Sequence, residues 1–178
     1  MKGSIFAGLF LAGIFCCAAE VNFSGAQVVQ SRDSFQIRQQ GETSSYICVI
    51  PLEKIKFLNV EIHDSVLFIN TEKFYSNGGK EVFLRQFYYS WKKTGPGSGC
   101  FAADLAADPD GAKIKLVFHG KEFWKEKILS LKNDWQKLEF RETYPSGLES
   151  VHTRIHLLSP GVYRIRAMSL QENGEKKP

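Results

Sequence analysis

Asn133-Asp-Trp-Gln-Lys-Leu-Glu-Phe140, followed further on by Arg154-Ile-His-Leu-Leu-Ser-Pro-Gly-Val-Tyr-Arg-Ile-Arg-Ala-Met-Ser-Leu170, decides the fold. The first stretch alternates from its tryptophan onward. The second reads as an alternating strand, a Ser-Pro-Gly turn and a closing strand, which is how a small extracellular β-sandwich is built. The same period of two recurs upstream, over 34–38, 57–62, 65–70, 82–91, 100–105 and 113–119, with an apolar run at 46–52. Turn residues stand at the breaks: Asn77-Gly78-Gly79, Gly95-Pro96-Gly97, Asp108-Pro109-Asp110-Gly111 and Pro145-Ser146-Gly147. This spacing predicts an all-β, mostly antiparallel jelly-roll sandwich. Only 121–131 departs from it, and its mixture of charges and apolar residues fits a short helix or an irregular crossing loop.

The N-terminus sets the expected compartment. Lys2 precedes an uncharged run to Phe15, and Cys17-Ala18-Ala19 offers small residues before Glu20. The run is shorter than the ~20 residues of a membrane span, so residues 1–19 read as a secretory signal. A sandwich at 20–172 and a polar tail at 173–178 follow, exported to the exterior or periplasm. A lipid anchor is the weaker alternative, because Phe15 rather than a small residue precedes Cys16. Removing 19 of 178 residues leaves 159, enough for one domain with a core. The net charge of +4 falls to +3 with Lys2, and no basic run suggests a nucleic-acid surface. Cys48 and Cys100 then remain, and read equally as one disulfide closing a long loop or as two buried thiols.

Alternation sorts side chains between faces. Leu138 and Phe140, then Thr153, Ile155 and Leu157, then Tyr163, Ile165 and Ala167 are expected inward, as are Ile114, Leu116 and Phe118. The opposite faces are basic, with His152, Arg154, His156, Arg164 and Arg166 prominent. A solvated charged face explains this pattern. The sharper reading is an acidic ligand, such as a uronate-bearing or sulfated polysaccharide, held by Arg154, Arg164, Arg166 and nearby histidines. Flat apolar platforms for sugar rings would come from Trp91, Trp124, Trp135, Tyr88, Tyr89 or Tyr144. Trp124 leads, since it stands among Lys121, Glu122, Lys125 and Glu126. In 82–91 one face carries Arg85, Phe87, Tyr89 and Trp91 and the other Leu84, Gln86 and Tyr88, so neither is clearly the core.

The aromatic strand ending at Trp91, the Trp135-Gln136 opening and the Pro160-Gly161 turn before the last strand resemble carbohydrate-binding modules of the galactose-binding-like jelly-roll type. The resemblance covers roughly the second half of the chain and implies a binding role. Such modules often hold a structural calcium ion with an Asp in the closing strand. Here that strand reads Tyr163-Arg-Ile-Arg-Ala-Met168, and the site is not carried over.

Catalytic patterns are weak. His152 and His156, four apart on a strand, lie ~13 Å from each other and cannot share a metal. No nucleophile elbow, zinc-helix pair, phosphate loop or dinucleotide glycine pattern is present. Asp104, Glu122 and Glu139 are not distinguished from solvated charges, and Asp104, Asp108 and Asp110 read as part of a turn rather than a calcium loop. The expectation is a non-catalytic, cofactor-free carbohydrate binder with Trp124, Trp91, Tyr89, Arg85, Arg154, Arg164 and Arg166 at its site. The alternative is an adhesion or scaffolding sandwich with a protein partner, and a small hydrolase stands third.

Overall fold

A computed structural model describes residues 17–41, 47–86, 97–145 and 151–173. Thirteen described strands form two sheets in which every pairing is antiparallel. The chain is thus an all-β sandwich of jelly-roll type, as its alternation predicts.

The strands in chain order are β1 (Cys17–Asn22), β2 (Ala26–Gln30), β3 (Phe35–Gln39), β4 (Ile47–Leu52), β5 (Asn59–His63) and β6 (Val66–Asn70). A single helical turn, α1 (Glu72–Ser76), leads to β7 (Glu81–Gln86) and β8 (Gly97–Asp108). Then come β9 (Lys113–Gly120), β10 (Phe123–Ser130), β11 (Gln136–Tyr144), β12 (His152–Leu157) and β13 (Val162–Asn173). One sheet runs β11-β8-β13-β6-β5, and β1 pairs with the second half of β13 beyond the end of β6. The other runs β10-β9-β12-β7-β4-β3-β2.

The core lies between the sheets and is made by the alternation. Ile114, Leu116 and Phe118 of β9, Ile155 and Leu157 of β12, and Tyr163 and Ile165 of β13 are all fully buried. Val82 and Leu84 of β7 are buried too, so over the described part of the aromatic strand, which ends at Gln86, Phe83 and Arg85 occupy the outer face. The turn before β13 is tied down from several directions. The buried Tyr163 hydroxyl lies 2.8 Å from the Ser159 carbonyl, 3.2 Å from that of Lys113 and 3.0 Å from Ser159 Oγ, and Thr71 Oγ1 donates to the Ser159 and Gly161 carbonyls. A Cβ on Gly161 would stand 2.7 Å from the Asp108 carbonyl oxygen, so the Pro-Gly turn needs its glycine.

Two expectations are corrected. The segment 121–131 is a strand, β10, which forms a hairpin with β9 through a turn in which Glu122 has φ 58°. It is an edge strand, so Lys125 and Lys127 stand at exposed positions on the core side, and those two charges hide the alternation. Ala167 does not continue the inward set: a bulge between Ile165 and Ala167 shifts the register and buries Met168 instead. Cys48 and Cys100, the two cysteines whose state the sequence leaves open, are both buried, on β4 and β8 of different sheets.

Candidate binding face

The outer face of the seven-stranded sheet collects the chain's basic and aromatic side chains in rows. Rows exist because antiparallel register sets residues of neighbouring strands opposite each other, ~4.8 Å apart. In the first row Trp124, His119 and His152 lie opposite one another on β10, β9 and β12. Their ring centroids are 5.4 and 5.2 Å apart. The next row is Glu126, Val117, Arg154, Arg85, Cys48 and Gln36. The third holds Ile128, Lys115, His156, Phe83 and Ile50. Val117 is fully buried although it faces outward, because the longer side chains around it close over it. Trp124 stays 49% exposed, which makes it the flat apolar surface of this face.

Two described acids sit among these cations, and each is engaged. Glu81 meets His156 Nδ1 at 2.5 Å. Glu126 accepts the Trp124 indole N–H at 2.7 Å and lies 3.7 Å from Lys115 Nζ; these contacts hold its carboxyl below the ordinary carboxylate range. Arg154 makes no hydrogen bond or ion pair with another described residue, and its guanidinium lies 5.2 Å from the centroid of the Phe83 ring. Phe83 in turn stacks on His156 at 5.3 Å. Among the described residues the buried atoms Arg154 Nε, His119 Nε2 and His156 Nε2 have no hydrogen-bond partner. Buried polar atoms are normally satisfied, so three on one face call for an explanation.

Charge crowding shows in the titration of these groups. Burial first, and then Arg154 and its neighbours, push the His119 imidazole down to about 4. His152 is lowered by burial and by Arg85 and Arg154, and Arg154 by burial and Arg85, which outweigh the opposing attraction of Glu81. His156 is lowered as well, because burial outweighs the attraction of Glu81. At neutral pH His156 is therefore an uncharged ring that donates Nδ1–H to Glu81 and leaves the Nε2 lone pair inside the face.

The expected site residues divide between the two sheets. Trp124, Arg85 and Arg154 share the face just described. Arg164 and Arg166 are on the other sheet, because β12 and β13 belong to different sheets. There Arg166 pairs with Asp104 at 3.0 Å, Arg164 donates to the Asn133 carbonyl and side chain, and both guanidiniums flank the Trp135 ring at 4.7 and 5.7 Å. A single anion site using Arg154, Arg164 and Arg166 is thereby excluded. Trp91 and Tyr89 lie outside the described residues. Tyr144 is buried and offers no platform. The alternation missed His119 and Phe83 as partners of Trp124 and Arg154, since cross-strand register is not written in any local pattern.

Asp104 is held by Arg166, and Glu139 bonds Arg141 at 3.0 Å. Among the described residues no group of three His, Cys, Asp or Glu is placed to hold a metal ion. A pocket lined by Ser98, Gly99, Arg141, Glu142 and Thr143, about 270 Å³ in volume, lies on β8 and β11 of the six-stranded sheet.

No protein-family model matches the chain, and no curated protein does. Among solved structures it is similar to the carbohydrate-binding module BiXyn10A CBM1 in its apo form, at 10% identity and a TM-score of 0.49, over 85% of this chain and 95% of that one. It is also similar to a family 29 carbohydrate-binding module, at 11% identity and a TM-score of 0.47, over 88% and 90% of the two chains. A family two carbohydrate esterase from Cellvibrio japonicus is similar at 10% identity and a TM-score of 0.43, over 88% of this chain and 34% of that one. At these identities none of them assigns a role to a residue of this chain.

Proposed function

We propose that this protein binds carbohydrate without transforming it, outside the cytoplasm, through the outer face of the seven-stranded sheet. The observation that carries the reading is Trp124, half exposed and in register with His119 and His152, one row from Arg154 and Arg85. An exposed indole offers the apolar C–H face of a pyranose a place to stack, and guanidinium and imidazole groups beside it supply donors for hydroxyls and acid groups. A glycan with uronate or sulfate groups suits this charge better than a neutral one. The N-terminal apolar run and the small residues after it support the extracytoplasmic part of this reading.

One observation favours a protein partner instead. β10 is an edge strand among the described residues, with Ile128 58% exposed two rows from Trp124 on the same face, the kind of strand that can take a further strand from another chain. Lys125 and Lys127 on the same edge oppose that pairing. A glycan array with neutral and acidic polysaccharides decides between them. The expected result is a reproducible hit abolished by Trp124→Ala. Silence across the array from folded protein would reject the carbohydrate reading in favour of the edge.

A further inference from the structure

We propose that the outer face of the seven-stranded sheet is built for one acid group of a saccharide, a carboxylate or a sulfate ester, with Arg154 as the residue that receives it. The sugar part rests on the carbohydrate reading; the anion part stands on this face alone. Arg154 is held over Phe83, is only partly exposed, and makes no hydrogen bond or ion pair with a carboxylate among the described residues; Glu81 acts on it only from its hydrogen bond with His156. A guanidinium kept half out of water with only the distant Glu81 carboxylate opposing its neighbours, and none in hydrogen-bonding contact, is better satisfied once an anion arrives. A bidentate acceptor suits it best, which favours carboxylate, sulfate or phosphate chemistry over hydroxyls.

Placement supports the same ligand. Trp124 lies two strands and one row from Arg154, a Cα separation of ~12 Å from strand spacing and rise. A short oligosaccharide can therefore stack one ring on the indole while presenting the acid of a neighbouring unit to Arg154. His119 stands between them, beside Trp124 and against His152, with its Nε2 unpartnered. The cations acting on His119 are Arg154 and Arg85, with Lys115 on its own strand facing the same way. His152 and His156, both lowered, are uncharged neighbours at neutral pH. Glu126 from β10 and Glu81 from β7 are already engaged with Trp124, Lys115 and His156. An anion seated at Arg154 reverses the repulsion on His119 and favours its protonated form, which can donate a second hydrogen bond. Binding and proton uptake are then linked, and the site tightens as pH falls.

Calorimetric titration of the full chain tests this with four probes: an oligouronate, a sulfated oligosaccharide, a neutral oligosaccharide and inorganic sulfate. The expected result is that the acidic sugars bind, weaken as salt rises from about 50 to about 500 mM, and tighten between about pH 7 and about pH 5. Arg154→Gln should weaken them about ten- to a hundredfold, with Arg154→Lys between the two. His119→Gln should bind at neutral pH and lose the pH dependence. Trp124→Ala should lose the sugars and keep inorganic sulfate. If neutral and acidic sugars bind equally and Arg154→Gln changes neither, the carbohydrate reading survives and this inference falls. If inorganic sulfate binds through Arg154 but no sugar does, the anion site stands and the carbohydrate reading falls. If no anion binds, or if Arg154→Gln and Arg154→Lys both bind acidic sugars like the natural chain, the assignment is overturned.

Discussion

Acidification should destabilise this protein through the imidazole row on its outer face, and His119→Phe should remove a defined part of that loss. In the folded chain the His119 imidazole is held at about 4, against an ordinary 6.5, chiefly by burial and then by Arg154. The unfolded chain therefore takes up a proton first as pH falls. The stability tied to a neutral His119 is complete above pH ~6.5 and drains away as pH drops through that value toward ~4. By pH ~5 the linkage relation gives a loss of about 2 kcal/mol, before the shift is fully spent; partial solvent screening of a half-buried ring brings this to about 1 to 2 kcal/mol. Phenylalanine keeps a ring between Trp124 and His152 and cannot titrate. Urea unfolding of both chains at about pH 7.5, 6 and 5 reads the effect. The natural chain should lose about 1 to 2 kcal/mol more than His119→Phe between the extremes, and His152 and His156, also lowered, should leave the variant some pH dependence. Equal losses in the two chains would refute the burial and the electrostatic effect of Arg154 together.

Two further outcomes follow from the core. Tyr163→Phe keeps the ring and removes a fully buried hydroxyl that lies within hydrogen-bonding distance of Ser159 and Lys113. It should cost about 1 to 3 kcal/mol, measured as a fall of several degrees in Tm, and an unchanged melting curve would contradict the packing of the Pro160-Gly161 turn. Gly79→Ala would put a Cβ 2.4 to 2.6 Å from three carbons of the Phe74 ring, which is itself fully buried. Overpacking of this kind should cost about 1 to 3 kcal/mol, and Phe74→Leu in the same chain should recover part of it; additive losses in the double variant would show that the two residues do not touch.

Period-two alternation is a local property, so it revealed the strands and most of the core: Ile114, Leu116, Phe118, Ile155, Leu157, Tyr163 and Ile165 face inward as the pattern requires. It fails where one residue is out of step or where an edge relaxes the pattern. The bulge before Ala167 is one such place, and β10 is the other, since an edge strand can carry Lys125 and Lys127 at core-side positions without burying them. The site was legible only in part for a different reason. Arg154 and Arg166 look equivalent along the sequence, each on the polar side of a strand, but the turn at Ser159-Pro160-Gly161 carries the chain from one sheet to the other and sends them to opposite faces. What makes the face a candidate site, Trp124 beside His119 beside His152, depends on the register of the β9–β10 hairpin and on its pairing with β12, which lies far away in sequence. Composition marked Trp124 as unusual, and only pairing supplied its neighbours.

The expected leader cleavage and the observed β1 make contact at a point that can be measured. β1 pairs six residues with β13, from Cys17 opposite Glu172 to Asn22 opposite Ala167. A cut after Ala19 removes the three outer pairs and keeps Glu20, Val21 and Asn22 opposite Ser169, Met168 and Ala167. The anchoring side chains lie beyond the cut: Val21 is 6% exposed and Phe23 fully buried. A chain starting at Glu20 should therefore unfold within about 1 kcal/mol of the full-length one, because the lost pairs are at a strand end that frays first. A chain starting at Ser24 loses both anchors and should fall by about 4 kcal/mol or more, mostly from Phe23. Denaturant unfolding of the three chains, with the mass of secreted material fixing the true start, checks the argument. If the Glu20 chain loses as much as the Ser24 chain, then residues 17–19 belong to the folded domain and the cut cannot fall where the leader pattern puts it.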